Sequence, residues 1–347
     1  MESVIDKSTK RIEFIDLAKG VCILLVICYH CGLVNIFPGD KQLRMPLYFV
    51  LSGLFFKDYG RESICKKINK LIIPFVTFYI LGDLFYWGAY KLGFLPVSPK
   101  EFPVIDILWK GIPSNLPIWF LVCLFECYLI FLLITRLTKN EISRFLLIVL
   151  CGIGGYSISQ ITDGAPTYYW GSALSAMPFF YMGYALKRTA ILPPCKLDKF
   201  NILFAFLCFG LAYLLMVILP DSKISMFDNV FYGNPLAAYF ISALLVMTVL
   251  FLCKTIGKLP YVSYVGRYSV IVLLIQVPIM EIAYYFQRSF FHNESHFLRA
   301  VLTALIASAF IPLFKRYFPY VTAQKDLLKY DHLIHLCHTL KLKSIAK

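Results

Sequence analysis

The sequence predicts an all-α integral membrane protein, a bundle of about ten transmembrane helices with both termini cytoplasmic. Three observations carry that expectation. Hydrophobic residues make up 59% of the 347-residue chain and charged residues only 16%, against about 25% charged in soluble domains. The mean hydropathy is +0.70, and apolar runs near the roughly 20 residues needed to cross a bilayer recur along the chain. The basic residues sit in short clusters between those runs, and alternate clusters are much the richer.

Taken in order, the expected spans are 17–36, 45–57, 71–92, 117–136, 144–161, 168–187, 201–220, 235–253, 268–287 and 298–318. The second is too short for a perpendicular crossing, so it is tilted, broken or re-entrant. Pro178, Pro278 and Pro312 fall inside spans, where neighbouring helices can satisfy the freed backbone groups. With the N-terminus inside, 26 of the 34 Lys and Arg lie in inside segments and 8 outside, the bias the positive-inside rule requires. The chain then divides into a cytoplasmic N-terminal segment (1–16), a transmembrane domain (17–318) and a basic, His-containing cytoplasmic tail (319–347). The charged segment before the first run is long and no A-x-A site follows it, so the run reads as a retained span and not a cleaved signal peptide.

Composition excludes several classes. The net charge of +14 is not arranged as a surface interleaving basic and aromatic residues, so nucleic acid is not an expected partner; the lipid bilayer is. All eleven cysteines fall within spans or inside segments, which argues against structural disulfides. The tail "DHLIHLCH" spaces His332, His335 and His338 three apart. Those positions drift around a helix and no second cluster completes a zinc site, so no metal is expected. "NES" at 293–295 matches the glycosylation acceptor pattern on an outside loop and carries no weight here. There is no Walker motif, no G-x-G-x-x-G and no G-x-S-x-G.

Chemistry is sought first in "IDLAKGVCILLVICYH". Lys19 and His30 are eleven residues apart, about 20° from a whole number of helical turns, and Asp16 is about 40° off the same line. All three project from one helix face. Along the axis Lys19 and His30 are about 16.5 Å apart, too far to touch each other but within reach of one long ligand. An ionisable group inside a membrane ordinarily faces a polar cavity and works there, so His30 is the first candidate. Lys19 and Asp16 follow it as candidates on the same face, although a lysine at a cytoplasmic helix end is ordinarily a topology anchor and a carboxylate near a helix start favours the dipole in any case.

Asp83, Glu126 and Glu281 are further intramembrane carboxylates that could orient His30 or bind a substrate. Ser52 and Gly53 read as a close helix contact between small residues or as part of a pocket. Trp119 and Tyr168–Trp170 read as an interfacial aromatic belt, with sugar stacking as the alternative.

"IDLAKGVCILLVICYH" followed by "RMPLYFVLSGLFF" resembles the opening of acyltransferase family 3, especially its fucose 4-O-acetylase-like branch. "KKINKLIIPF", "PIWFLVCLF" and "VGRYSVIVLLIQVPI" are similar to later family segments, and the resemblance spans about 15–315. It implies transfer of an acyl group, usually acetyl, from acetyl-CoA as co-substrate to a sugar hydroxyl of a cell-surface glycan or lipid-linked precursor. It implies a multi-pass protein of the bacterial cytoplasmic (inner) membrane with no permanently bound cofactor. His30 takes the place of the family's proposed base, and Lys19 that of the basic residue thought to meet the coenzyme. Lys66, Lys67 and Lys70 could contact the coenzyme phosphates, or serve only as a positive-inside anchor. Three departures stand out. Lys19 lacks the bidentate fork of the arginine many members carry there, Gln276 stands where a His often ends the ninth-span signature, and Arg44 replaces a His often found before Met45–Pro46. A proton-coupled transporter or flippase of a glycan or lipid intermediate is the alternative reading, and a membrane scaffold with a degenerate site is a third. The oligomeric state is not legible.

Overall fold

A computed structural model describes residues 12–58, 60–94, 114–162, 169–189, 199–291 and 295–330. A helix occupies each of the ten expected segments. In chain order they are α1 (Glu13–His30), α2 (Asp40–Leu54), a continuous rod of α3 (Arg61–Lys67), a π-helical turn (Ile68–Ile72) and α4 (Ile73–Lys91), then α5 (Trp119–Leu137) and α6 (Glu141–Ile161). These are followed by α7 (Trp170–Arg188), α8 (Lys199–Ile218), α9 (Pro235–Ile256), the short α10 (Pro260–Arg267), α11 (Ser269–Phe291) and α12 (His296–Tyr317). Seven of these segments are long and apolar enough to cross a bilayer. The first, second and sixth expected spans are not among the seven. α1 carries Glu13, Asp16 and Lys19 within its 18 residues, α2 is only 15 residues, about 22 Å long, and α7 is interrupted by serines, glycines and Pro178. Helices α7, α11 and α12 continue through Pro178, Pro278 and Pro312.

The core is built around α1, where Leu17, Ala18, Cys22 and Ile23 are fully buried. Helix α10 lies directly against it. A side chain on Gly20 would run into the backbone carbonyl of Val262, and one on Gly266 into that of Asp16. Helices α2 and α7 cross in the same way, Gly53 against the carbonyl of Phe180 and Gly183 against that of Val50. Small residues let backbones approach this closely, which is how membrane helices gain contact without a hydrophobic driving force between them. Gly53 therefore has the packing role. The nine described cysteines are free thiols.

Two features depart from the expected layout. The first apolar run extends to residue 36, but α1 stops at His30. Gly32, at φ +90°, turns the chain, and the amide of Leu33 bonds back to the carbonyl of Cys28. Between α8 and α9 the chain forms a short antiparallel hairpin, β1 (Lys223–Ser225) with β2 (Val230–Tyr232). Its tip is pinned by Asn229, which donates from Nδ2 to the Gly155 carbonyl at 2.9 Å and accepts from the Ser175 hydroxyl at 2.6 Å. The hairpin is thereby held against α6 and α7. The histidine tail, Tyr168, Trp109, Asn293 and Glu294 lie outside the described residues.

Candidate active site

His30 is the last residue of α1 and lines a cavity of about 480 Å³, within the usual range for ligand pockets. Four pieces of chain build it. Helix α1 supplies Tyr29 and His30, α2 supplies Lys41 and Arg44, and the start of α5 supplies Trp119. The hairpin closes over them with Lys223, Asp228 and Tyr232.

The α1 terminus is held in place by contacts of its own. His296, the first residue of α12, donates from Nδ1 to the carbonyl of Cys31 at 2.9 Å, satisfying a carbonyl that the helix end would leave open. The Tyr29 and His30 rings meet edge to face at 5.4 Å. On the facing helix the Arg44 guanidinium lies over the Tyr29 ring, 4.0 Å from its centre. Arg44 is only 6% exposed, and its Nη1 has no hydrogen-bond partner among the described residues. The Cys22 thiol bonds to the Arg44 carbonyl at 2.8 Å, tying α2 to α1 beside the cavity.

Trp119 is 5% exposed and packs on Tyr169 and Phe227, at 5.2 and 5.4 Å between ring centres. The belt expectation is therefore corrected for Trp119 and Tyr169, because the hairpin covers both. Trp170, nearly half exposed, remains compatible with it.

The opposite end of α1 has a different character. Asp16 is buried and faces Arg267 of α10 at 3.9 Å. The Lys19 ammonium sits over the Phe55 ring at 5.1 Å. Lys67, over the Tyr128 ring at 4.9 Å, lies close enough to Lys70 and Lys19 for their charges to repel it. Lys66 turns aside and pairs with Glu62 at 2.6 Å. Lys19, Lys67 and Lys70 thus form one basic cluster, drawn from two segments 48 residues apart, while Lys66 is engaged within its own helix. Neither Asp16 nor Lys19 lines the His30 cavity.

Residues 12–315 match the family described as acyltransferase domain. The chain belongs to acyltransferase family 3. No curated protein and no solved structure matches it. The protein is an acyltransferase of multi-pass membrane architecture, and the geometry can be read against that chemistry. An acyltransferase must strip a proton from an acceptor and hold a donor beside it. Of the ionisable groups proposed from the sequence, only His30 lines this cavity. Ser52 is half-buried next to Gly53 at the α2–α7 crossing. Asp83 is half-buried on α4. Glu126 is buried on α5 and Gln276 on α11, and Glu126 Oε2 and both amide atoms of Gln276 lack partners among the described residues. Glu281 accepts from the Tyr86 hydroxyl at 3.4 Å. None of these five residues lines the cavity.

Sequence reasoning passed over Lys41, Lys223, Asp228 and Tyr232 as loop residues and treated Arg44 only as a family departure. For these residues the one signal in the sequence was Arg44 itself, two residues before Pro46 in the family-like segment.

Proposed function

We propose that this acyltransferase is an O-acetyltransferase that moves an acetyl group from acetyl-CoA to a sugar hydroxyl of a cell-surface glycan or lipid-linked precursor. The single observation that carries the reading is the placement of His30, the residue matching the family's proposed base, in a cavity walled by aromatic and charged side chains. In this reading the ten helical segments all cross the bacterial inner membrane and both termini are cytoplasmic, as the 26-to-8 bias of basic residues favours. The His30 cavity then opens on the outer half and the Lys19–Lys67–Lys70 cluster on the cytoplasmic half.

Acetyl-CoA binds with its phosphates at that cluster, and its pantetheine arm covers the roughly 16.5 Å of α1 to His30. The neutral imidazole of His30 takes the proton of the sugar hydroxyl as its oxygen attacks the thioester carbon. The tetrahedral adduct then expels the coenzyme thiolate, which recovers the proton. General base catalysis of this kind is typically worth 10²–10⁴-fold. A route through an acetyl-imidazole on His30 uses the same residues. The transporter and scaffold readings are disfavoured by membership in an acyltransferase family.

The test is a transfer assay on membranes containing the full-length protein, given radiolabelled acetyl-CoA and a glycan acceptor. Label covalently bound to the acceptor supports the proposal. Movement of acceptor across the membrane without label, or neither event, contradicts it.

A further inference from the structure

We propose that the cavity beside His30 is built for an acceptor bearing an anionic group, a phosphate or a carboxylate on the sugar or its carrier. This rests on the acyl-transfer reading and specifies its acceptor class. Three cations line the cavity, Lys41, Arg44 and Lys223, against one carboxylate, Asp228. That carboxylate already accepts from the Ser225 hydroxyl at 3.0 Å.

The lysines alone are exposed side chains and decide little. Arg44 decides more. It is buried, it lies over the Tyr29 ring, and its Nη1 has no hydrogen-bond partner among the described residues. A buried guanidinium nitrogen left unpaired costs free energy in the empty protein, and an anionic oxygen is the ligand that recovers it most fully, through a charge-assisted bond. Asp40 is near enough to offset part of the Arg44 charge, but it does not line the cavity. Tyr232, nearly half exposed, supplies an aromatic wall at the same site, suited to the face of a sugar ring. Fixed positive charge within a concave site also draws anions in from solution.

Binding can be tested without any transfer reaction. The full-length protein in detergent is titrated calorimetrically with three soluble probes, glucose, glucuronic acid and glucose 6-phosphate. At low salt, at least one anionic probe is expected to bind about tenfold or more tighter than glucose, or about 1.4 kcal/mol. Tighter binding of glucose 6-phosphate assigns a phosphorylated acceptor, and tighter binding of glucuronic acid an acidic sugar. Arg44→Gln is expected to bring the preference within about twofold of unity. Because Arg44 is buried, the exposed pair Lys41→Ala/Lys223→Ala gives a second readout, expected to weaken the preference at least threefold with an unchanged melting temperature. Equal affinity for all three probes, binding of none, or a preference untouched by both sets of substitutions overturns the proposal. His30→Ala is expected to keep the anion preference. Anion preference in a protein that transfers no label would leave this assignment standing while the acyl-transfer chemistry fell. Label transfer with no charge preference would do the reverse.

Discussion

The Arg44 guanidinium lies 4.0 Å from the centre of the Tyr29 ring, and Tyr29 immediately precedes His30. The contact couples α2 to the end of α1 at the place where the candidate base enters the cavity. A cation over an aromatic face is worth about 0.5–2 kcal/mol, more when desolvated. Tyr29→Leu should therefore lower the acyl-transfer rate about 3- to 30-fold, and Tyr29→Phe, which keeps the ring, should stay within about twofold of wild type. Initial rates of label transfer check both.

The basic cluster at the other end of α1 should govern the donor and not the acceptor. Lys67→Ala/Lys70→Ala removes both charges grouped with Lys19. A hydrogen bond to a charged group contributes about 1.5–3 kcal/mol, so the KM for acetyl-CoA should rise at least tenfold while the KM for the acceptor changes little. Steady-state kinetics with each substrate varied in turn separates the two. Lys66→Ala, which breaks an exposed pair with Glu62, should leave both constants within about twofold.

The hairpin over the cavity depends on Asn229. Its two bonds, to Gly155 and Ser175, are buried, and its φ of +52° suits asparagine better than most residues. Asn229→Ala strands the Ser175 hydroxyl, at a cost of about 1–3 kcal/mol, and removes a second bond to the Gly155 carbonyl. The melting temperature should fall and the acceptor KM should rise together, because Lys223, Asp228 and Tyr232 ride on the hairpin. Thermal melts and acceptor titrations check this.

The α2–α7 crossing should tolerate no side chain. Gly53→Ala places a methyl against the Phe180 carbonyl, and Gly183→Ala places one against the Val50 carbonyl. Neither obstacle is a flexible side-chain end, so each substitution should cost about 1–3 kcal/mol or more. Gly88→Ala, where no atom lies within 4 Å of the added methyl, is the control and should melt like wild type.

These residues also divide what is legible in the sequence from what only the folded chain brings together. Helices lie where apolar runs lie, because each span must satisfy its own backbone groups in lipid, and that constraint is local. The spacing of Lys19 and His30 is local too, and it marked the helix that matters. The end of α1 was misjudged because Leu33, Val34, Ile36 and Phe37 continue the apolar run, whereas the turn is made by one glycine and fastened by His296, 264 residues beyond it. The hairpin left no local pattern either. Its strands are three residues each, and what orders them is Asn229 reaching into α6 and α7. Trp119 looked interfacial for the same reason, since nothing near it in sequence says that Phe227 will cover it. Arg44 was visible as a change of residue type, but its burial and open nitrogen belong to tertiary packing.

The most direct test of the account is the rate of label transfer from acetyl-CoA to acceptor by His30→Ala compared with wild type, at matched membrane expression and melting temperature. The account predicts a loss of about 10²–10⁴-fold with acetyl-CoA binding retained. A folded His30→Ala protein that transfers label within about threefold of the wild-type rate would contradict it.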